Sequence, residues 1–167
     1  MNFYILRHGI AVEHGARGYA NDSERPLTPK GRQRMRAIAR AMIAMELRFD
    51  LILSSPYVRA RQTAEIVADK FKARDLLQNS PHLASDGDPK KLTAELNRRK
   101  PAPENVLLAG HEPYLSELIS TLVFGQSGPS MLLKKGGLCK LSVESLKHGR
   151  CATLEWLLTP RQMRLMR

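Results

Sequence analysis

Three short apolar runs, each followed by a signal for a helix start, set the limits on how this chain can fold. Phe3-Tyr4-Ile5-Leu6 stops at Arg7-His8-Gly9, Leu51-Ile52-Leu53 stops at Ser54-Ser55, and Val106-Leu107-Leu108-Ala109 stops at Gly110-His111. Continuous apolar runs of this length read as strands buried on both faces, the habit of a parallel sheet covered by helices. Thr28-Pro29 is a cap followed by proline, and Met35, Ile38, Ala39, Met42 and Met45 recur at helical spacing. That pattern predicts a helix over residues 29–47. Ser55-Pro56 repeats the signal and predicts a helix over 55–72. Asp88-Pro89 opens another, to about residue 99, where Pro101-Ala102-Pro103 breaks it. Gly110-His111-Glu112-Pro113 leads into a fourth, ending near residue 123.

After Gly125-Gln126-Ser127-Gly128-Pro129 the texture changes. Residues 137–143 and 151–158 read as two strands joined by a hairpin turn at Lys147-His148-Gly149-Arg150. The basic end, 161–167, reads as mobile. The order predicts one α/β domain over residues 1–167. Its architecture would be a three-layer α/β/α sandwich with a mostly parallel central sheet and a C-terminal β-hairpin.

In a sheet of this kind ligands bind beyond the carboxyl ends of the strands. Those ends carry Arg7-His8-Gly9, Ser54-Ser55 with Arg59 one turn further on, and Gly110-His111. Two guanidiniums converging on one point repel unless an anion lies between them, and a planar guanidinium fork matches phosphate. A helix start at Ser55-Pro56 would add backbone N–H donors. A neutral imidazole has a lone pair near pH 7 and can act as a covalent nucleophile. Arg7, His8, Arg59 and His111 therefore suit phosphoryl transfer, with one histidine attacking in line while the other groups bind the equatorial oxygens. In this scheme the second histidine would serve best as an imidazolium. Strand-end position alone does not say which histidine attacks.

Charge agrees with an anionic ligand. The chain has 27 Lys and Arg against 16 Asp and Glu, a formal charge of +11. Such a surface attracts anions without naming a partner. Arg32, Arg36 and Arg40 fall four apart as a basic stripe that reads as a solvated helix face or as a dock for an acidic phosphoprotein. A nucleic-acid partner is not expected, because the basic end lacks an aromatic platform. Cys139 and Cys151 lie in apolar, strand-like stretches and read as buried core residues. The chain starts directly on a strand, without a signal peptide or an apolar run long enough for a span, so a cytoplasmic protein with no membrane partner is expected. No carboxylate cluster suggests a metal site, and no cofactor is expected. His14, His82 and His148 have no motif partners and read as surface or turn residues.

Four segments carry a family resemblance. LRHG at 6–9, RPLTPKG at 25–31, SSPYVRARQTAE at 54–65 and VLLAGHEPYLSEL at 106–118 resemble, in order, the motifs of the histidine phosphatase superfamily. The set is most similar to the SixA-type phosphohistidine phosphatases, a short branch without the inserted lid of the phosphoglycerate mutases. The resemblance implies a phosphoglycerate mutase-like fold with His8 as nucleophile and Arg7, Arg59 and His111 as phosphate ligands. It implies metal-independent hydrolysis of a phosphorylated substrate, with protein phosphohistidine expected and a small phosphoester or pure phosphate binding as alternatives. Arg25, ahead of the Pro-Leu-Thr motif, would guide substrate at the rim or make a structural salt bridge. The mutase-like Glu is missing after the second Arg motif, which leaves Glu13, Asp86 and Asp88 as candidate proton donors. Phosphohistidine releases imidazole, a good leaving group, and so has less need of such an acid.

Overall fold

The computed structural model describes residues 1–126, 128 and 131–166. Six strands form one sheet: β1 (Asn2–Arg7), β2 (Leu51–Ser54), β3 (Leu77–Asn79), β4 (Asn105–Gly110), β5 (Leu138–Val143) and β6 (Ala152–Leu158). Their spatial order is β3-β2-β4-β1-β5-β6. The first four run parallel, β5 returns antiparallel beside β1, and β6 pairs antiparallel with β5.

The helices are α1 (Pro29–Ala44), α2 (Val58–Phe71), α3 (Pro89–Asn97), α4 (Tyr114–Phe124) and α5 (Pro160–Leu165). Alternation along each strand feeds two cores. Phe3, Ile5, Leu53 and Leu108 face α3 and α4, packing with Leu92, Leu96, Leu115 and Leu118. Tyr4, Leu6, Ile52 and Leu107 face the other way, onto Met35, Ile38, Met42, Val67 and Met163 of α1, α2 and α5. Both faces of the sheet are therefore covered, the three-layer arrangement that the continuous apolar runs predict.

Three readings of the sequence need correction. The turn after β2 does not start a helix at Ser55. The Ser55 N–H stays in the sheet, donating to Ala109 O at 2.9 Å, and α2 begins at Val58. The end of the chain is not loose over 161–166. Thr159 and Gln162 form a reciprocal capping box, and Met163 is buried, so α5 is held against α1. Arg167 lies outside the described residues, as do Ser127 and Pro129 of the predicted loop. The strands β5 and β6 are joined by a long excursion over 144–151 rather than a tight turn, and their register shifts at Lys140/Leu141. The sequence reading also lacked β3, a three-residue edge strand.

Cys139 is fully buried and its thiol is pushed up to about 12 by burial. Cys151 is only half-buried, with its thiol donating to Lys147 O at 3.2 Å. On the outer face of α1, Arg36 and Arg40 are exposed and Arg32 is half-buried. Among the described residues, no helix is long and apolar enough to cross a membrane.

Candidate active site

The parallel register sets the site. Leu6 pairs with Ala109 and Arg7 with Gly110, while Ser54 pairs with Ala109 from the other side, so the three strands end level. Beyond them His8 N–H still donates to Gly110 O at 3.0 Å. Gly136 N–H is shared between Arg7 O at 3.0 Å and His8 O at 3.1 Å, which fixes the turn from the β5 side. Gly9 then passes under α1 so closely that a Cβ there would lie 2.7 Å from Met35 Cγ. Its N–H donates to Thr63 Oγ1 at 3.0 Å, and the Thr63 hydroxyl donates to Arg59 O at 2.7 Å. Thr63 thus joins the loop after β1 to the first turn of α2.

This scaffold brings Arg7, His8, Arg59 and His111 to one edge of the sheet. The His8 and His111 ring centroids are 5.2 Å apart, and Tyr57 packs 4.9 Å from the His111 ring. His8 Nδ1 lies 2.7 Å from Gly9 O. A carbonyl can only accept, so Nδ1 carries the proton and Nε2 holds the lone pair. Arg59 Nε–H donates to that Nε2 at 3.3 Å. His111 Nε2 is 2.8 Å from Ser55 Oγ, which also accepts from Tyr57 N–H at 3.2 Å. Ser55 is therefore a partner of His111 rather than a helix cap. Arg7 Nη1 donates to Leu133 O at 2.8 Å. Arg7 Nε and His111 Nδ1 are buried without a hydrogen-bond partner among the described residues, a pairing that suits an oxyanion.

Burial lowers the pKa of His8 to about 3, with the charges of His111, Arg59 and Arg7 adding to the effect against the bond to Gly9. Burial, followed by Arg59, lowers His111 to about 3 as well. Burial therefore favours the neutral form of the His111 ring, and the imidazolium expected there needs an anion beside it. The sign of the stability effect follows. Unfolded histidine takes up its proton near pH 6.5, whereas the folded rings resist until about pH 3. Stability is thus full above pH 6.5 and declines as the pH falls toward the folded values. In a pH titration followed by NMR, the His8 and His111 rings are expected to stay neutral from pH 8 to pH 5 while the melting temperature drops below pH 6.5. A His8 ring titrating near 6.5 would contradict this.

Arg25 makes a salt bridge, and its partner was not read from the sequence. Arg25 Nε and Nη2 donate to Asp22 Oδ1 at 2.8 and 2.5 Å, while Arg59 Nη2 donates to Asp22 Oδ2 at 2.7 Å. Burial opposes ionisation of Asp22, but the hydrogen bonds from Arg25 and Arg59 outweigh it and hold the carboxyl below its usual range. Of the candidate acids, Asp88 caps α3, accepting from Lys90 and Lys91 N–H, and Glu13 and Asp86 are exposed. The carboxylates that the fold sets beside the arginines are instead Asp22 and Glu112, the latter raised by burial, bonded to Ser116 Oγ at 2.6 Å and lowered in part by Arg7. His14 and His148 are exposed and His82 half-buried, apart from the ring pair. Among the described residues, no group of three or more His, Cys, Asp or Glu side chains could hold a metal ion.

A covered, mostly parallel sheet whose strand ends present paired imidazoles and guanidiniums is a frame suited to a phosphoryl group. Comparison with known proteins agrees. The model of the histidine phosphatase superfamily (branch 1) matches residues 3–83. An uncharacterized protein of Picosynechococcus sp. is 40% identical over 148 residues, covering 84% of each chain. The phosphohistidine phosphatase SixA of Escherichia coli is 27% identical over 166 residues, 99% of this chain and 98% of that one. The solved structure of the protein histidine phosphatase SixA complexed with tungstate superposes with a TM-score of 0.77 at 27% identity, covering 96% of this chain and 98% of the other.

The chain belongs to the histidine phosphatase superfamily. Within it, this is a SixA-type member with a phosphoglycerate mutase-like fold, and a phosphatase.

Proposed function

We propose that this phosphatase hydrolyses phosphohistidine on proteins through a covalent phospho-His8 intermediate. The observation that carries the reading is the state of His8: its Nδ1–H is fixed on Gly9 O, which leaves a neutral ring with its Nε2 lone pair facing Arg59. In the first step Nε2 attacks phosphorus and the bond from phosphorus to the substrate ring breaks; that ring, protonated by solvent on its other nitrogen beforehand, leaves as neutral imidazole with the bond's electron pair as its lone pair. In the second step a water oxygen attacks the phospho-His8 phosphorus, its proton passes to solvent, and inorganic phosphate leaves as Nε2 recovers its lone pair. Arg7, Arg59 and His111 bind the equatorial oxygens, where charge builds up, and Arg25 holds Asp22 beside Arg59. An incoming phosphate dianion raises the pKa of His111, which strengthens its N–H as a donor. The steps as written need no metal or cofactor.

Two of the candidate carboxylates support the choice of a P–N bond. A phosphoester needs an acid to protonate its leaving oxygen. Asp22 is held ionised by two arginines and Asp88 is occupied as a helix cap, which leaves Glu112, raised by burial and with Oε1 unpartnered among the described residues, as the acid that would serve a phosphoester. A phosphohistidine already protonated on its other ring nitrogen leaves as neutral imidazole without an acid from the protein. The names of the SixA relatives point the same way and suggest a histidine-phosphorylated protein as substrate. A panel of phosphohistidine peptide, phosphoramidate and sugar phosphates tests this. The P–N compounds are expected to have kcat/KM higher on the order of 10²–10⁴-fold, the contribution an acid would otherwise make. A clear preference for sugar phosphates would overturn the reading in favour of a small-molecule phosphoesterase.

A further inference from the structure

Arg59 is only 4% exposed, and every one of its nitrogens is engaged. Nε–H meets His8 Nε2, the nitrogen that must reach phosphorus. Nη1–H donates to the Asp22 backbone oxygen at 2.6 Å and Nη2–H to Asp22 Oδ2 at 2.7 Å. Asp22 therefore takes one N–H from each Nη, and its carboxylate sits on the guanidinium as a phosphoryl oxygen would. The other carboxylate oxygen, Oδ1, is bonded twice by Arg25, which is itself tied to the loop through Nη1–H to Val12 O at 2.6 Å. Asp22 has a second home if it leaves Arg59.

We infer that Asp22 is an internal competitor for the substrate phosphoryl group. Substrate exchanges the Asp22 carboxylate on Arg59 for its own oxygens, Asp22 stays on Arg25, and the turning fork uncovers His8 Nε2. The role rests on the phosphate pocket proposed above and makes Asp22 a threshold that every oxyanion ligand must overcome. A carboxylate is displaced only by a better acceptor. A terminal phosphoryl group has three oxygens and close to two negative charges near pH 7. A carboxylate or a phosphodiester carries one charge and gains nothing by the exchange. Every oxyanion meets the same cost, and the doubly charged ones recover more of it from the guanidinium.

Calorimetry with tetrahedral oxyanions tests this at pH 7. Tungstate is a dianion and perrhenate a monoanion of the same shape. Asp22→Asn is expected to bind tungstate about fivefold more tightly than the parent, the scale of one partly exposed ion pair. Perrhenate should gain by a similar factor, because the same displaced contact is removed for both. A mere loss of negative field acts in proportion to ligand charge, so the tungstate factor would be the square of the perrhenate factor. Asp22→Ser, which removes the charge in another way, must shift affinity in the same direction. Unchanged or weaker tungstate binding, or a gain that scales with charge, overturns the role of Asp22. Failure of the parent to bind tungstate at all would instead count against the pocket.

Discussion

Replacement of His8 by alanine is expected to remove both turnover and covalent phosphate labelling. The loss should be on the order of 10⁴–10⁶-fold in kcat, the range reported when a covalent nucleophile is deleted. The neighbouring imidazole is assigned to the phosphoryl oxygens rather than to the attack. The His111 ring lies 5.2 Å away, centroid to centroid, with its Nε2 engaged by Ser55 Oγ. His8 makes two side-chain hydrogen bonds, its Nδ1–H to Gly9 O and its Nε2 accepting from Arg59 Nε–H, so a melting curve run beside the assay separates loss of chemistry from loss of fold. His111→Ala separates the two histidines: it should slow the reaction and yet leave a trapped, acid-labile phosphate on His8. Rapid quench with labelled phosphohistidine peptide, followed by mapping of the phosphorylated residue, decides the matter. Near-normal turnover by His8→Ala, or label carried by His111, would end the assignment.

The sequence could show the quartet because three of its members need only strand topology. Arg7, His8 and His111 follow apolar runs whose length and continuity already require parallel pairing, and parallel pairing puts their ends on one edge. Arg59 needs only one helical turn beyond that. Asp22 needs much more. It comes from a polar loop without periodicity and meets Arg59 across 37 residues of chain, so no local rule connects the two. Ser55 was misread for a different reason. A serine before a proline is a good cap, but here the sheet claims its N–H and His111 its hydroxyl. Tertiary bonds outweighed a local preference worth about 1 kcal/mol. The strand β3 has half-exposed Leu77 followed by exposed Gln78 and Asn79, which gives no pattern to find. The helix α5 was legible, since Thr159-Pro160 with Gln162 repeats the signal read at Thr28-Pro29; its basic composition hid it.

Arg59→Ala is expected to lower kcat/KM on the order of 10²–10³-fold, as removal of one preorganised donor to a developing oxyanion does. Part of the loss should appear as a higher KM, because the same fork binds the ground-state phosphoryl group. Arg59→Lys keeps the charge but replaces a planar pair of donors with a single point, so it should recover only a fraction. Two other consequences separate a part in the chemistry from a merely structural one. The positive charge of Arg59 helps to lower the pKa of both His8 and His111, so its removal should raise both values. Loss of Arg59 also frees Asp22 to bond Arg25 alone. A structural role would instead lower the melting temperature while leaving the ring titrations of the folded protein unmoved. An Arg59→Ala protein within tenfold of parental kcat/KM, with both histidines titrating as before, would mean that the phosphoryl oxygens are held elsewhere. The site would then have to be rebuilt around Arg7, whose Nε is buried without a partner among the described residues.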